Sequence, residues 1–263
     1  MVTEIVAPLF VPANRSDRFG KAASCGADAV ILDLEDAVAE ADKHMARAAL
    51  SCDFTALPVI VRINAVASRW HAADMETVQD LSIAAVMLPK SESPDAVAAV
   101  VAAFQGRPII ALIETAKGLS NARAIAGMEG VVRLAFGSVD YCADLGCAHL
   151  REVLLPARSE LVMASRLAGI AAPLDGVTVQ LDDPVITHSD AEHARNIGMT
   201  GKLCIHPKQI GPVIKAFSPT AEDIDWAERV LALGDGAIAV DGEMVDEPVR
   251  IRARAILARD KVA

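Results

Sequence analysis

Residues 107–140 read RPIIALIETAKGLSNARAIAGMEGVVRLAFGSVD. Two short apolar runs, Ile109–Ile113 and Val132–Phe136, flank an Ala-rich stretch, Gly118–Ala126. Neither run alternates apolar with polar residues, so neither suits a strand with one wet face. Continuous hydrophobicity is what a parallel strand needs when both faces are covered. Each run ends abruptly on polar residues, Glu114 after the first and Ser138 and Asp140 after the second.

The same unit repeats outward in both directions. Strands are predicted at Pro8–Pro12, Ala29–Leu34, Val59–Ile63, Ala85–Leu88, Ile109–Ile113, Val132–Phe136, Val177–Gln180 and Leu203–Ile205. Helical stretches fall between them, among them Pro94–Phe104, Gly118–Ala126, Arg151–Ala168 and Ser189–Ile197. Strand–helix alternation repeated eight times predicts an α/β protein built as a closed (β/α)₈ TIM barrel. An open doubly wound sheet fits less well, because no Gly-rich dinucleotide fingerprint follows the first strand. The expected division is a barrel catalytic domain over 1–216 and a helix–flap–helix extension over 217–263. In the extension Pro219–Leu233 reads as a helix led by Ser218 or Thr220. The stretch GDGAIAVDGEMVDEPV, 234–249, reads as a hairpin-like flap with a turn at Asp241–Gly242, and a last helix runs to about Lys261.

Composition bounds the function. The 263 residues are 53% hydrophobic but only 3% aromatic, so the core must be aliphatic. A net charge of −10 argues against a general nucleic-acid binder, which would show a basic patch. The N-terminus MVTEIVAPLFVPANR lacks the basic start of a signal peptide, and the longest apolar runs are too short to span a bilayer. Five cysteines without CxxC spacing suit reduced thiols, so the expected compartment is the cytoplasm.

The active site of such a barrel lies at the C-terminal ends of its strands. Here nearly every strand end meets a charged or polar residue: Asp33, Glu35 and Asp36, then Arg62 and Asn64, then Lys90, Glu114, Ser138 and Asp140, Asp182 and Asp183, and His206. One such acid is ordinarily the N-cap of the next helix; a whole ring of them calls for another explanation. Carboxylates crowded around one mouth repel each other, and a divalent cation removes that cost. With no His or Cys cluster beside them they favour Mg²⁺, with Mn²⁺ as a substitute, over zinc. Glu114 and Asp140, on successive strands, are the natural pair of ligands. Arg62 can clamp a carboxylate through two bonds and stabilise a developing oxyanion, or serve as a structural partner for Asp33 or Glu35. Arg15, Arg18 and Lys21 follow the first strand. Singly they read as a solvated helix start; together they could meet the phosphates of a nucleotide-containing ligand.

The stretches LFVPANRSDRFGKA, VILDLEDAV, VIVRIN, VMLPK, ALIETAKGLSNAR, AFGSVDYCADLG, DGVTVQLDD and GKLCIHPKQI resemble, in order, the motifs of the citrate lyase β-subunit-like and malyl-CoA lyase family of the HpcH/HpaI aldolase superfamily. The resemblance spans nearly the whole chain. It implies a Mg²⁺-dependent carbon–carbon lyase that cleaves a 3-hydroxyacyl-CoA such as citramalyl- or malyl-CoA to acetyl-CoA and an oxo acid. It implies Glu114 and Asp140 as metal ligands and Arg62 on the oxo-acid oxygens. Asp33, Glu35 and Asp36 would hold metal waters and orient Arg62, and Arg18 and Lys21 would lie near the CoA phosphates. The segment GEMVDEP resembles a flap whose acid, here Asp246, reaches a neighbouring subunit's site, so a homo-oligomer, trimer or hexamer, is implied. Ser16, where proline is common, and Gln180, where an acid is frequent, depart from the pattern away from the proposed chemistry. Other readings are a citryl-acyl-carrier-protein lyase subunit, a malyl-CoA thioesterase, a pyruvate-handling aldolase of the same architecture, and a non-catalytic thioester-binding module.

Overall fold

The computed structural model of the chain describes residues 1–232, 238–240 and 243–260. Its strands are β1 Pro8–Pro12, β2 Ala29–Asp33, β3 Val59–Arg62, β4 Ala85–Leu88, β5 Ile109–Ile113, β6 Val131–Phe136, β7 Ala171–Asp175 and β8 Gly201–Lys202. They pair in chain order as one parallel sheet. The sheet closes where Cys204 bridges Leu9, with Phe10 N–H donating to Cys204 O at 2.9 Å and Cys204 N–H to Pro8 O at 3.0 Å. The (β/α)₈ barrel expected from the alternation is therefore present.

Helices fill the connections: α1 Phe19–Ala23, α2 Lys43–Ala48, α3 His71–Gln79, α4 Pro94–Ala103, α5 Ala116–Ser120, α6 Ala122–Ala126, α7 Ser138–Leu145, α8 Arg151–Ala168, α9 Pro184–Asn196 and α10 Ile210–Phe217. The stretch expected as one helix over 118–126 is two, α5 and α6, meeting at Asn121, whose side-chain amide donates to Glu92 O at 2.7 Å.

Side-chain parity explains the unbroken hydrophobicity of the strands. Ala29 and Ile31, Ile60, Ala85 and Met87, Ile110 and Leu112, Ala135, Leu174 and Leu203 form one buried cluster inside the barrel. Their strand neighbours Val30, Leu32, Val61, Val86, Leu88 and Ala111 are equally buried, on the opposite face, because successive side chains alternate across a strand. Continuing the inward parity past the apolar layer brings Asp33, Arg62, Glu114 and Gly137 to the C-terminal mouth.

Two strand expectations are corrected. The seventh strand is Ala171–Asp175 rather than Val177–Gln180. The β-branched VTVQ run has the better local propensity, but Ala171–Asp175 has the partners: Ala171 pairs with Arg133, Leu174 with Ala135 and Gly201, and Asp175 with Lys202. Tertiary pairing overrides propensity here. The eighth strand is Gly201–Lys202, ahead of the expected Leu203–Ile205, with only the Cys204 bridge beyond it.

Contacts divide the chain into two compact units, Met1–Ile214 and Lys215–Ala263. The second contains α11 Ala221–Ala232, a two-stranded antiparallel ribbon of β9 Ile238–Val240 and β10 Glu243–Val245, and α12 Glu247–Asp260. Thr220 caps α11 reciprocally: its Oγ1 accepts from Asp223 N–H at 3.0 Å while Asp223 Oδ2 accepts from Thr220 N–H at 3.1 Å. Val245 packs into this unit's own small core with Ala227, Val230, Ala253 and Ile256. The expected Asp241–Gly242 turn lies outside the described residues. Among those described, no helix is long and apolar enough to cross a membrane.

At the opposite end of the barrel Arg133 on β6 points inward and is fully buried. It donates to Ala172 O at 2.8 Å, Ile5 O at 2.6 Å and Thr200 Oγ1 at 2.8 Å. Burial pushes its pKa down to about 10, so it stays charged at neutral pH and ties the N-terminal segment to β6 and β7. Arg133→Met is expected to cost about 2–4 kcal/mol, because buried carbonyls lose their donor. Urea unfolding should show a lower midpoint with an unchanged slope.

Candidate active site at the barrel mouth

Asp33 and Arg62 end β2 and β3 and are register partners, so their side chains leave the sheet on the same face. Arg62 Nε and Nη2 each donate to Asp33 at 2.7 Å, and Nη1 lies 3.1 Å from Glu35 Oε2. The guanidinium also stacks 4.8 Å from the Phe10 ring centroid. Burial works against its charge, but Asp33 and Glu35 outweigh it and hold its pKa above the ordinary range. Arg62 is thus both a structural partner of Asp33 and a rigidly held cation at the mouth. Its terminal nitrogens keep donors for a substrate oxygen.

Glu114, immediately after β5, is 1% exposed. Its Oε1 accepts from Lys90 N–H at 2.7 Å, while its buried Oε2 has no hydrogen-bond partner. Burial first, then the charges of Glu35 and Asp140, push its pKa up to about 8, with Lys90 pulling the other way. Asp140 lies in the first turn of α7. Gly137, three residues before Asp140, lies against Glu114: a Cβ there would fall 2.4 Å from both Glu114 Cβ and Oε2, so the close approach requires glycine.

A divalent cation fits this donor set. It would partner the orphaned Oε2 and offset the burial and carboxylate repulsion that lift the Glu114 pKa. Among the described residues no three His, Cys, Asp or Glu side chains converge into a metal cluster. Two carboxylates agree with that, because Mg²⁺ commonly takes one or two and fills its remaining positions with water and substrate oxygens.

Lys90 was legible only as a polar strand end, with no role attached. It adopts φ +47°, which is unfavourable for any residue but glycine. That twist turns its N–H toward Glu114 and its ammonium toward Glu35 Oε1 at 2.8 Å, with Glu114 Oε1 at 3.7 Å. Burial opposes its charge, but Glu35 and Glu114 raise its pKa. Glu35 is itself buried between Lys90 and Arg62, and burial raises its pKa despite them. Lys43 was not anticipated at all. Its buried ammonium donates to Leu34 O at 2.6 Å, Glu35 O at 2.7 Å and Asn64 Oδ1 at 2.8 Å, pinning the loop that carries Glu35.

Asp36 is exposed at the rim, 4.0 Å from Lys90 Nζ. A cavity of about 210 Å³ joins Phe10, Asp33, Arg62, Glu114, Ser138 and Asp140. A larger one, about 620 Å³, opens among the N-terminal strand ends and is lined by residues such as Val2, Leu57, Pro58 and Ile83, with no charged side chain in its lining. Arg18 and Lys21 are exposed in the turn and helix after β1, with Arg15 tied to Asp17 at 2.8 Å. Asp182, Asp183 and His206 leave the ring: Asp182 pairs with Lys208 at 2.9 Å, Asp183 caps α9 through Val185 N–H at 2.8 Å, and His206 caps the turn at Lys208 N–H. In the second unit Asp246 precedes α12, and its Oδ1 accepts from Val249 N–H at 3.4 Å.

The raised Glu114 pKa has a sign that can be checked in metal-free protein. Between its ordinary 4.5 and about 8 the native state holds a proton that the unfolded chain has released. Stability should therefore fall as pH rises through that window. Melting in chelator from pH 5 to 8.5 should show this fall, and Glu114→Gln should flatten it.

The profile of the HpcH/HpaI aldolase/citrate lyase family matches residues 7–207. A citrate lyase subunit beta-like protein of Mycobacterium tuberculosis (strain CDC 1551 / Oshkosh) is 41% identical, over 95% of this chain and 94% of its own. A (3S)-malyl-CoA thioesterase of Cereibacter sphaeroides is 31% identical, over 95% and 93%. The crystal structure of CitE from M. tuberculosis in complex with magnesium, acetoacetate and coenzyme A superposes with a TM-score of 0.89 at 39% identity, covering 98% of this chain and 99% of that one. The chain belongs to the HpcH/HpaI aldolase/citrate lyase family.

Proposed function

We propose that the chain is a Mg²⁺-dependent carbon–carbon lyase that cleaves a 3-hydroxyacyl-CoA thioester, such as citramalyl- or malyl-CoA, to acetyl-CoA and an oxo acid. The observation that carries this reading is the unpartnered buried oxygen of Glu114, across the mouth from the fixed guanidinium of Arg62. The relative solved with magnesium, acetoacetate and coenzyme A supports it.

Glu114 and Asp140 would hold Mg²⁺, or Mn²⁺ in its place. When bound, the ion supplies a Lewis acid for the oxygen that becomes the oxo-acid carbonyl. Arg62 binds the carboxylate and that same oxygen, its geometry locked by Asp33. Glu35 and Asp36, with Lys90 between them, order the waters at the mouth and accept the hydroxyl proton as the C–C bond breaks. The exposed Arg18 and Lys21 meet the CoA phosphates. Asp246 returns a proton to the thioester enolate from an adjacent copy in a homo-oligomer, trimeric or hexameric. Five free thiols favour a reducing compartment such as the cytoplasm.

Thioester hydrolysis in the same site is the second reading, favoured by the thioesterase relative. An assay across malyl-, methylmalyl-, citramalyl- and citryl-CoA that follows both oxo acid and free thiol separates the two. A lyase releases oxo acid with no free CoA; hydrolysis releases CoA without oxo acid.

Glu114→Gln and Asp140→Asn should each weaken Mg²⁺ binding in calorimetry while preserving the fold; unchanged affinity in both would remove the assignment. Arg62→Lys keeps the charge but loses the planar fork, and should lower kcat at least about tenfold, roughly 1.4 kcal/mol of barrier. Mixing inactive Asp246→Ala with inactive Glu114→Gln under subunit exchange should restore activity if the acid acts in trans. Full activity of Asp246→Ala alone would sink its catalytic role.

A further inference from the structure

Behind the mouth lies a polar cluster that the proposed reaction leaves unused. Asp175 ends β7 on the outward parity, opposite to the inward Leu174, and is fully buried between sheet and helices. Arg158 Nε donates to its Oδ1 at 2.7 Å and Lys202 Nζ to its Oδ2 at 2.8 Å. Burial would raise the Asp175 pKa, but these two cations hold it below the ordinary range. Lys202 Nζ donates at 2.6 Å to a second acceptor, Gly176 O. The triad therefore fixes one particular piece of backbone, the residue just past β7.

That residue is a seat. A Cβ at Gly176 would lie 2.2 Å from Ser138 Oγ and 2.9 Å from Phe136 O, so Ser138 occupies the space that any other side chain at 176 would fill. On its other side Ser138 Oγ meets His149 Nε2 at 2.9 Å. His149 comes from the connection between α7 and α8 and is half-buried. Ser138 is the first residue of α7 and is 1% exposed.

Helix α7 needs such an anchor. Its N-cap is Gly137, which carries no capping side chain and cannot be replaced without striking Glu114. An uncapped first turn is ordinarily the part of a helix that frays. Asp140 sits in that turn, two residues past Ser138. A lateral bond from Ser138 to His149, against a fixed glycine, supplies the constraint that a cap would otherwise give.

We propose that His149 is a positioning residue which, through Ser138, fixes the first turn of α7 and so holds Asp140 in place opposite Glu114 for the divalent cation. The proposal rests on the reading of Glu114 and Asp140 as ligands of that cation. Groups that orient a ligand without touching the metal typically change affinity by about 10- to 100-fold. Burial and the charges of Arg158 and Lys202 also lower the His149 pKa, with Asp190 and Asp175 opposing. The bond at neutral pH is then one between a neutral imidazole and a hydroxyl.

The test is Mg²⁺ titration by calorimetry on chelator-stripped protein. Wild type is compared with His149→Ala, Ser138→Ala, the double variant and His149→Gln. The Gln amide nitrogen stands as far along the side chain as Nε2 and can donate to the same hydroxyl. His149→Ala should weaken Mg²⁺ binding at least about tenfold. Ser138→Ala should do the same, and the double variant should add little, since both remove one bond. His149→Gln should recover to within about threefold of wild type. Should His149→Ala fail to fold, Ser138→Ala breaks the same bond with the loss of a single oxygen. A merely structural bond would lower the metal-free melting temperature and leave Mg²⁺ affinity alone; that result, or full additivity in the double variant, overturns the proposal. If wild type binds no Mg²⁺, the ligand reading itself fails and the positioning role falls with it. Wild-type binding that both Glu114→Gln and Asp140→Asn leave intact would equally place the ion elsewhere.

Discussion

Glu114 is a carboxylate taken out of water beside other carboxylates, with one oxygen left unpaired. Burying such a group costs several kcal/mol unless it is neutralised or paired. Among the described residues its one hydrogen bond comes from the Lys90 backbone. Everything around the mouth bears on that imbalance. Lys90 is held in a left-handed conformation to aim its amide at Glu114 while its ammonium bridges Glu35 and Glu114. Gly137 has no side chain because Glu114 occupies the space. Structure alone would favour a neutral or apolar residue at 114. Holding an acid there is a stability cost that a bound cation would offset, because binding to the native state alone stabilises it.

The other charges are organised so that the strain stays local. Arg62 is fixed twice over by Asp33, and the loop carrying Glu35 is fixed by Lys43, whose three acceptors include two backbone carbonyls. Asn64 extends this network to Leu34 O and Asp74. These groups are buried and hydrogen-bonded, so the mouth is rigid before any ligand arrives. Preorganised donors cost no rearrangement as charge develops in a transition state. A separate triad of Arg158, Asp175 and Lys202 does for the α7 side what Lys43 does for the β2 side.

Much of this was legible in the residues. The apolar runs and the polar residues closing nearly every one pointed to barrel and mouth together, because strand period and strand end are local properties. Asp33, Arg62, Glu114 and Asp140 followed from them. The seventh strand was misplaced because VTVQ has the stronger local signal, while AAPLD wins through pairing with β6 and β8, which no local window contains. The misplacement turned Asp182 and Asp183 into apparent site residues and hid Asp175. Lys90 was visible only as a strand end, since its positive φ leaves no mark in composition. Lys43 and His149 were invisible: each acts on a residue far from it in sequence or outside its own element, and a lone Lys or His carries no pattern.

The mouth separates two tasks that the sequence mixes together. Asp33, Glu35, Arg62 and Glu114 lie at or just past the ends of β2, β3 and β5 on the inward parity, while Lys90 joins them from the loop after β4 and Asp140 from the first turn of α7. Apolar residues beside them, Phe10, Leu112, Val177, Leu203 and Ile205, line the same cavity and would meet the acyl chain of the proposed substrate. One methylene against such a wall changes discrimination by only about 1–3 kcal/mol. Losing one partner of a buried charge pair costs about 3–5 kcal/mol. On the proposed reading, changes in the apolar wall would tune which acyl chain is accepted, while the carboxylate pair and the guanidinium would set the chemistry done on it.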